Sequence, residues 1–382
     1  MGSEGEYRVR GGRIFFAVLI MTLLSGCWDQ QMLKDDRIAY IVGLDLNSDG
    51  QLQSTIAILD VNGSQSGSPQ GNKEFSEIHT VTGNTSRHTR DKMDREVAGR
   101  LSASKLRVIL IGEDLARQGI YPYLDVLYRD PSSALNAKVA VVAGKAHDMI
   151  STKVSGSQLI GEHFHKLIQS AERRTIVPAV NLQLICPPML DPGDDFALPY
   201  ITFNGPNPLV YGIALFSGDR MVSTLKSEDS LLYLLMADKL SQTASLTLKV
   251  DQEGNREPEK YLAMDIQQLK RKMKIDVQSN RNIKVTLNLN VKITAIEYPK
   301  DHLNQRETLG GLNKKLTEEL TRRAQAVTQK MLQAKNDGFG IGRRLIAYYP
   351  NTWKSLNWTK DYPKVEFDPI VKVEIVNHGI MN

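Results

Sequence analysis

The chain has 382 residues, 41% of them hydrophobic and 24% charged, which is the composition of an ordinary globular protein. Its formal net charge of +5 at pH 7 is too small and too dispersed to point to nucleic acid. On length alone, two or three domains of about 100–200 residues are expected.

The N-terminus divides into three parts. Arg8, Arg10 and Arg13 form a positive head, Ile14–Leu24 is an uncharged apolar run, and Leu24-Ser25-Gly26-Cys27 closes it. This is the pattern of an export signal. As a helix the apolar run would rise about 16 Å, roughly half a bilayer core, so a spanning helix is not expected. The closing tetrapeptide resembles the bacterial lipobox at all four positions. Residues 1–26 are thus expected to be cleaved, leaving the thiol of Cys27 to carry a diacylglyceryl anchor, with 27–37 as a tether. N-myristoylation is excluded because position 6 is Glu6. With Cys27 acylated, Cys186 is left without a disulfide partner, and Leu184-Ile185-Cys186-Pro187-Pro188 casts it as a small buried hydrophobe before a turn.

Ile38–Leu46 and Leu52–Val61 read as a hairpin about the turn Asn47-Ser48-Asp49-Gly50, followed by a polar, exposed loop over Asn62–Asn72. Thr89–Leu106 carries a helical pattern. Arg107–Ile111 and Ala137–Ala143 are short buried-type strands, with one or two helices over Leu115–Leu127 between them, and Ser157–Arg173 is helical again. This alternation predicts a mixed sheet covered by helices. Six prolines between 186 and 208 and the acidic turn Asp191-Pro192-Gly193-Asp194-Asp195 mark the expected division. It separates an N-terminal α+β region, 38–205, of one or two subdomains, from a C-terminal α+β domain, 206–382. The second half opens with a hairpin over Leu209–Phe216 and Arg220–Ser223, then a helix over Glu228–Asp238. In Asn282–Ile296, Ile283, Val285, Leu287, Leu289, Val291 and Ile293 alternate onto one buried face. Leu312, Leu316, Leu320, Ala324, Val327 and Met331 form one stripe of a long amphipathic helix. Pro369–Val376 closes as a strand. The fold class is therefore α+β, each domain a mixed or antiparallel sheet packed with helices.

The chain contains no set of residues that demands catalysis, and no catalytic residue, cofactor or metal ligand is assigned. His163 and His165 are two apart in a helical segment and point to different faces, so they do not form a metal pair. Gly338-Phe339-Gly340-Ile341-Gly342 lacks the spacing of a dinucleotide loop and follows a long helix, which casts it as a helix C-cap. Asp191, Asp194 and Asp195 read as a solvated turn, since calcium-loop spacing is lacking. Trp353 and Trp358, with Tyr348, Tyr349 and Tyr362 near them, read as core or interface packing.

Several blocks, in order, resemble the Ger(x)C family, the lipoprotein C subunits of spore-germination nutrient receptors. They are Gly26-Cys27-Trp28-Asp29 with Ala39–Asp45; Ser104–Ala116; Leu127–Pro131 leading into Leu135–Val139; Gly212–Phe216 with Gly218–Val222; and Trp353-Lys354, Trp358 and the closing strand. The glycine-rich stretch after Asp337 departs from the family pattern. The resemblance implies a non-enzymatic subunit, lipid-anchored on the outer face of the inner spore membrane and assembled with two polytopic subunits, A and B. The whole would respond to small nutrients. The resemblance implies a fold of three α+β domains, and Cys27 is the one site residue carried over. The alternative function is a lipid-anchored extracytoplasmic solute-binding protein. That class needs two doubly wound lobes, against which the long alternating strand at 282–296 argues.

Overall fold

The computed structural model describes residues 36–59, 76–152, 159–252, 256–278 and 282–378. The export signal, Cys27, most of the tether and the polar loop 62–72 lie outside the described residues. Arg37–Asn382 forms one compact unit of mixed α+β structure built on two sheets.

The chain begins with β1 (Asp36–Leu46), β2 (Leu52–Leu59) and β3 (Ser76–Gly83). The β1–β2 hairpin forms at the expected turn, where the Asn47 carboxamide accepts the N–H groups of Asp49 and Gln51 at 3.0 and 2.8 Å. Helix α1 (Ser86–Glu96) and the short β4 (Arg100–Ser102) follow. The continuous helix expected over Thr89–Leu106 therefore does not form. Val97 turns extended, Gly99 takes φ 121°, and Leu101 is buried as β4 pairs with β1. Burying Leu101 on the sheet overrides the local helical pattern.

Next come β5 (Val108–Gly112), α2 (Glu113–Gln118), α3 (Tyr121–Arg129), β6 (Lys138–Val142), α4 (Ala146–Ser151), α5 (Ile160–Arg173) and α6 (Leu182–Leu190). All five residues of β5 are buried, as a strand covered on both faces requires. Cys186 lies half-buried within α6, not before a turn: the Asn181 side chain caps this helix, which includes Pro187 and Pro188. Strands β7 (Ala197–Asn204), β8 (Asn207–Ser217) and β9 (Arg220–Lys226) complete a nine-stranded sheet of order β3-β2-β1-β5-β6-β7-β8-β9, with β4 alongside β1. Its centre, β1-β5-β6-β7, is parallel, and both flanks are antiparallel. The expected division at 205/206 falls in the turn between β7 and β8, which are hydrogen-bonded neighbours, so strands from both sides of it share one sheet.

Helix α7 (Ser227–Met236) is buried on every side from Ser230 to Met236. Such all-round apolarity belongs to an element sandwiched between layers. It packs against β8 and β9 on one side and against the second sheet on the other. That sheet, of order β10-β11-β12-β13, comprises β10 (Ser245–Lys249), β11 (Tyr261–Val277), β12 (Ile283–Glu297) and β13 (Glu366–Asn377). The six alternating residues Ile283 to Ile293 of β12 are all buried. Against them lies the stripe Leu312, Leu316, Leu320, Ala324, Val327 and Met331 of the long helix α8 (Arg306–Ala334). One core runs from Ile213, Leu215 and Leu225 of the large sheet through α7 to β12 and α8. Short helices α9 (Ile341–Tyr348), α10 (Pro350–Lys354) and α11 (Trp358–Asp361) lead into β13.

β13 is an edge strand, and α8 covers that edge. The N–H groups of Val371, Val373 and Ile375 donate to Thr321 Oγ1, Thr317 Oγ1 and Asn313 Oδ1 at 3.0, 3.1 and 2.9 Å. Two strand residues span about 6.6 Å and four helical residues about 6 Å, so i, i+4, i+8 on the helix matches every second N–H on the strand. The open edge is thereby closed.

Candidate functional site

Among the described residues, no group of three or more His, Cys, Asp or Glu is placed to hold a metal ion, and no helix is long and apolar enough to cross a membrane. Three polar constructions stand out.

The first is at the carboxyl ends of the parallel strands, where α/β sheets commonly bind ligands. Here Asp45, at the end of β1, fills the crevice. Its carboxylate accepts the N–H groups of Ala146 and His147 at 2.7 and 2.8 Å, capping α4. Burial pushes the Asp45 carboxyl up, against the pull of these two donors.

The second lies at the opposite, amino ends of β5 and β6. A cleft of about 320 Å³ is lined by Tyr40, Ser104, Lys105, Leu106, Arg107, Asn136 and His165. Its frame is fixed by backbone: Arg107 N–H donates to Tyr40 O at 2.9 Å and Lys138 N–H to Arg107 O at 2.8 Å. Helix α5 supplies His165. One turn earlier, Gly161 lies so close to β1 that a Cβ there would meet Tyr40 Cβ at 2.9 Å. Beneath the cleft, Lys138 pairs with the buried Glu172 at 2.5 Å. Burial lowers the His165 pKa, and the positive charges of Lys138 and Arg107 lower it further, against the pull of Glu162 and of the Arg107 backbone. His163 faces away from the cleft and meets the Phe164 ring edge-on. Sequence periodicity separates the two histidines correctly, but it does not reveal the cleft. Three of the blocks singled out in the sequence converge there: Tyr40 from the first, Ser104–Arg107 from the second, Asn136 from the third.

The third is a buried junction of the acidic turn with the glycine-rich segment. The turn is only partly solvated: Pro192 is exposed, Asp191, Asp194 and Asp195 are half-buried, and Asp195 is drawn into the fold by hydrogen bonds. Asp195 Oδ1 accepts Gly218 N–H and Oδ2 accepts Asp337 N–H, both at 2.7 Å. Asp337 accepts Ile341 N–H at 2.8 Å, Gly342 N–H at 2.7 Å and the Trp358 indole N–H at 3.0 Å. Burial pushes Asp195 up to about 6 and Asp337 well above the ordinary carboxylate range, despite these donors. Arg343 lies near Asp191 and Asp194, at 3.4 and 3.7 Å. The left-handed C-cap of α8 is Lys335, not a glycine; Gly340, at φ 64°, instead opens α9. Gly342 is required by close approach, since a Cβ there would lie 2.6 Å from Gly193 Cα. Trp358 packs between Trp353 and Tyr362, at ring separations of 5.6 and 5.4 Å, so these three rings serve packing, whereas Tyr348 and Tyr349 are exposed. The Asp195–Asp337 pair has no free donor–acceptor face, and its role is structural.

Comparison with known proteins accounts for both halves of this architecture. Residues 29–203 match the family described as spore germination protein N-terminal domain, and residues 211–379 match the spore germination B3/GerAC-like C-terminal family. The two matches meet at the β7–β8 hairpin. Spore germination protein GerQC of Bacillus cereus is 23% identical over 96% of this chain and 98% of its own length. Spore germination protein KC of Bacillus subtilis (strain 168) is 22% identical over 96% of this chain and 95% of its own. The putative spore germination protein YfkR of the same organism is 28% identical over 59% of this chain and 60% of its own. The crystal structure of the GerBC protein shares the fold, with a TM-score of 0.59 at 17% identity over 88% of this chain and 97% of that one. The chain belongs to the Ger(x)C family of spore germination proteins.

Proposed function

We propose that this protein is the lipid-anchored, non-enzymatic C subunit of a germinant receptor, held on the outer face of the inner spore membrane and assembled with two polytopic subunits. The observation that carries this reading is the lipobox Leu24-Ser25-Gly26-Cys27, standing directly before a chain matched to spore germination families through both halves. A diacylglyceryl group supplies two acyl chains, and at about 0.8 kcal/mol per buried methylene two chains make a stable anchor. Confinement to the membrane plane raises the local concentration of the protein around its partners without any further contact.

The test is nutrient-triggered dipicolinate release from spores that rely on this receptor alone and carry Cys27→Ala. The expected result is a large loss of response, with the protein present but detached from the membrane fraction. A normal response with the protein still membrane-bound would refute the anchor. A normal response after deletion of the whole chain would refute the receptor role.

A further inference from the structure

We propose that the cleft between β1, the loop entering β5 and α5 binds the oxyanion group, carboxylate or phosphate, of a small metabolite. A volume of about 320 Å³ stands at the small end of ligand sites, which run from about 300 to 1,000 Å³, and suits a molecule of few heavy atoms. No carboxylate lines it. Lys105 has no ion-pair partner among the described residues. The Arg107 guanidinium meets Glu162 only at 3.8 Å, outside hydrogen-bond reach, so its fork of donors remains available. The Asn136 carboxamide, exposed at the rim, adds a neutral donor without a protein partner among the described residues.

His165 supplies an independent observation. Its Nδ1 is buried and has no hydrogen-bond partner, an arrangement that costs stability unless something else satisfies it. Lys138 and Arg107 both bring positive charge to the surroundings of His165, with Glu162 opposing them. A solvated cluster of surface cations would not need a framed concavity with an unpaired lysine and an arginine at its wall. The frame is rigid, because backbone hydrogen bonds tie Tyr40, Arg107 and Lys138 together, so the donors are set before a ligand arrives. The parallel sheet's usual ligand edge is meanwhile closed by Asp45.

The inference goes beyond the receptor assignment and does not depend on it, since binding is read on the isolated protein. Full-length protein in non-ionic detergent is titrated by calorimetry with sodium acetate, sodium succinate and inorganic phosphate at constant ionic strength set with chloride. Saturable binding of at least one probe is expected. Affinity should fall at least tenfold in Lys105→Gln with Arg107→Gln, and severalfold in Lys105→Gln alone, whose exposed, unpaired side chain is dispensable for folding. His163→Gln, on the same helix but outside the cleft, should leave affinity unchanged. Binding of the carboxylates alone assigns a carboxylate ligand; binding of phosphate alone assigns a phosphorylated one. Absence of saturable binding to all three probes overturns the proposal. So does affinity unchanged in Lys105→Gln and in the folded double variant.

Discussion

Asp195 and Asp337 stand 142 positions apart in the chain and clasp one another: the Asp337 N–H donates to the Asp195 carboxylate at 2.7 Å, and the Asp195 N–H to the Asp337 carbonyl at 3.2 Å. Around them, Asn336 donates to the carbonyls of Phe196 and Phe216, the first at 3.2 Å, and the Tyr362 hydroxyl donates to the Asn336 carbonyl at 2.6 Å. The turn before β7, the β8–β9 hairpin and the segment after α8 are thus fastened at one point. The fastening is made of one buried carboxylate, Asp337, and one half-buried one, Asp195, and it follows that its strength depends on pH.

Burial raises Asp195 from 3.8 to about 6. A group whose folded pKa is raised contributes stability that is full below its unfolded pKa and is lost as pH rises through the folded one. A shift of this size corresponds to about 3 kcal/mol, acting between pH 4 and 6. Asp195→Asn should therefore gain on the wild type by about 2–3 kcal/mol between pH 4 and pH 7, whatever its offset at pH 4. Urea unfolding of both proteins at the two pH values measures this, and parallel pH profiles would refute it.

Lys138 and Glu172 form a pair with little exposure, 15% and 8% of the side chains. Burial raises the Glu172 carboxyl, and Lys138 opposes the rise. Lys138→Met leaves a buried carboxylate without its cation, which should cost about 3–5 kcal/mol at pH 7. The deficit should shrink as pH falls, because Glu172 can then take up a proton. A deficit independent of pH in denaturant titrations would show that packing, not charge, is lost.

The edge of β13 provides a local test. Thr317→Val keeps the side-chain shape but removes the acceptor for the Val373 N–H, 3.1 Å away. A buried donor left unsatisfied costs about 1–3 kcal/mol. Hydrogen exchange of the Val373 amide should accelerate, with little change at amides of β12. Unchanged protection at Val373 would mean that water replaces the hydroxyl without cost.

Two glycines should respond with opposite signs. At Gly342 a Cβ would lie 2.6 Å from Gly193 Cα and 2.8 Å from Trp358 Nε1, so Gly342→Ala should destabilise by about 1–3 kcal/mol or more. Gly310, within α8, has nothing within 4 Å of such a Cβ, and Gly310→Ala should stabilise by about 0.5–1 kcal/mol. Thermal unfolding of the two variants checks both, and the same sign for each would refute the argument.

The elements legible in the sequence were those whose own residues carry their burial. The alternation in β12 and the stripe on α8 each mark a face that must be covered, and the structure covers them with one another. The turn at Asn47–Gly50 was equally readable, because its side-chain capping is local. β11 is the opposite case. Its second half, with Lys270, Lys272 and Lys274 exposed, is rich in residues that favour helix, and it is a strand because it pairs with β12 from Ala263 to Val277.

The sequence by itself determined the fold class, the periodic faces of the core, the expected lipid site at Cys27 and the family. Those rest on short-range pattern and on ordered motifs. Only the tertiary structure decided that Asp195 is clasped to Asp337, that Cys186 sits in a helix, that β7 and β8 join one sheet across the expected division, and that Tyr40, Arg107, Asn136 and His165 surround one cleft. Burial of a polar group and the meeting of distant side chains depend on which chain segments become neighbours, and spacing along the chain does not encode that.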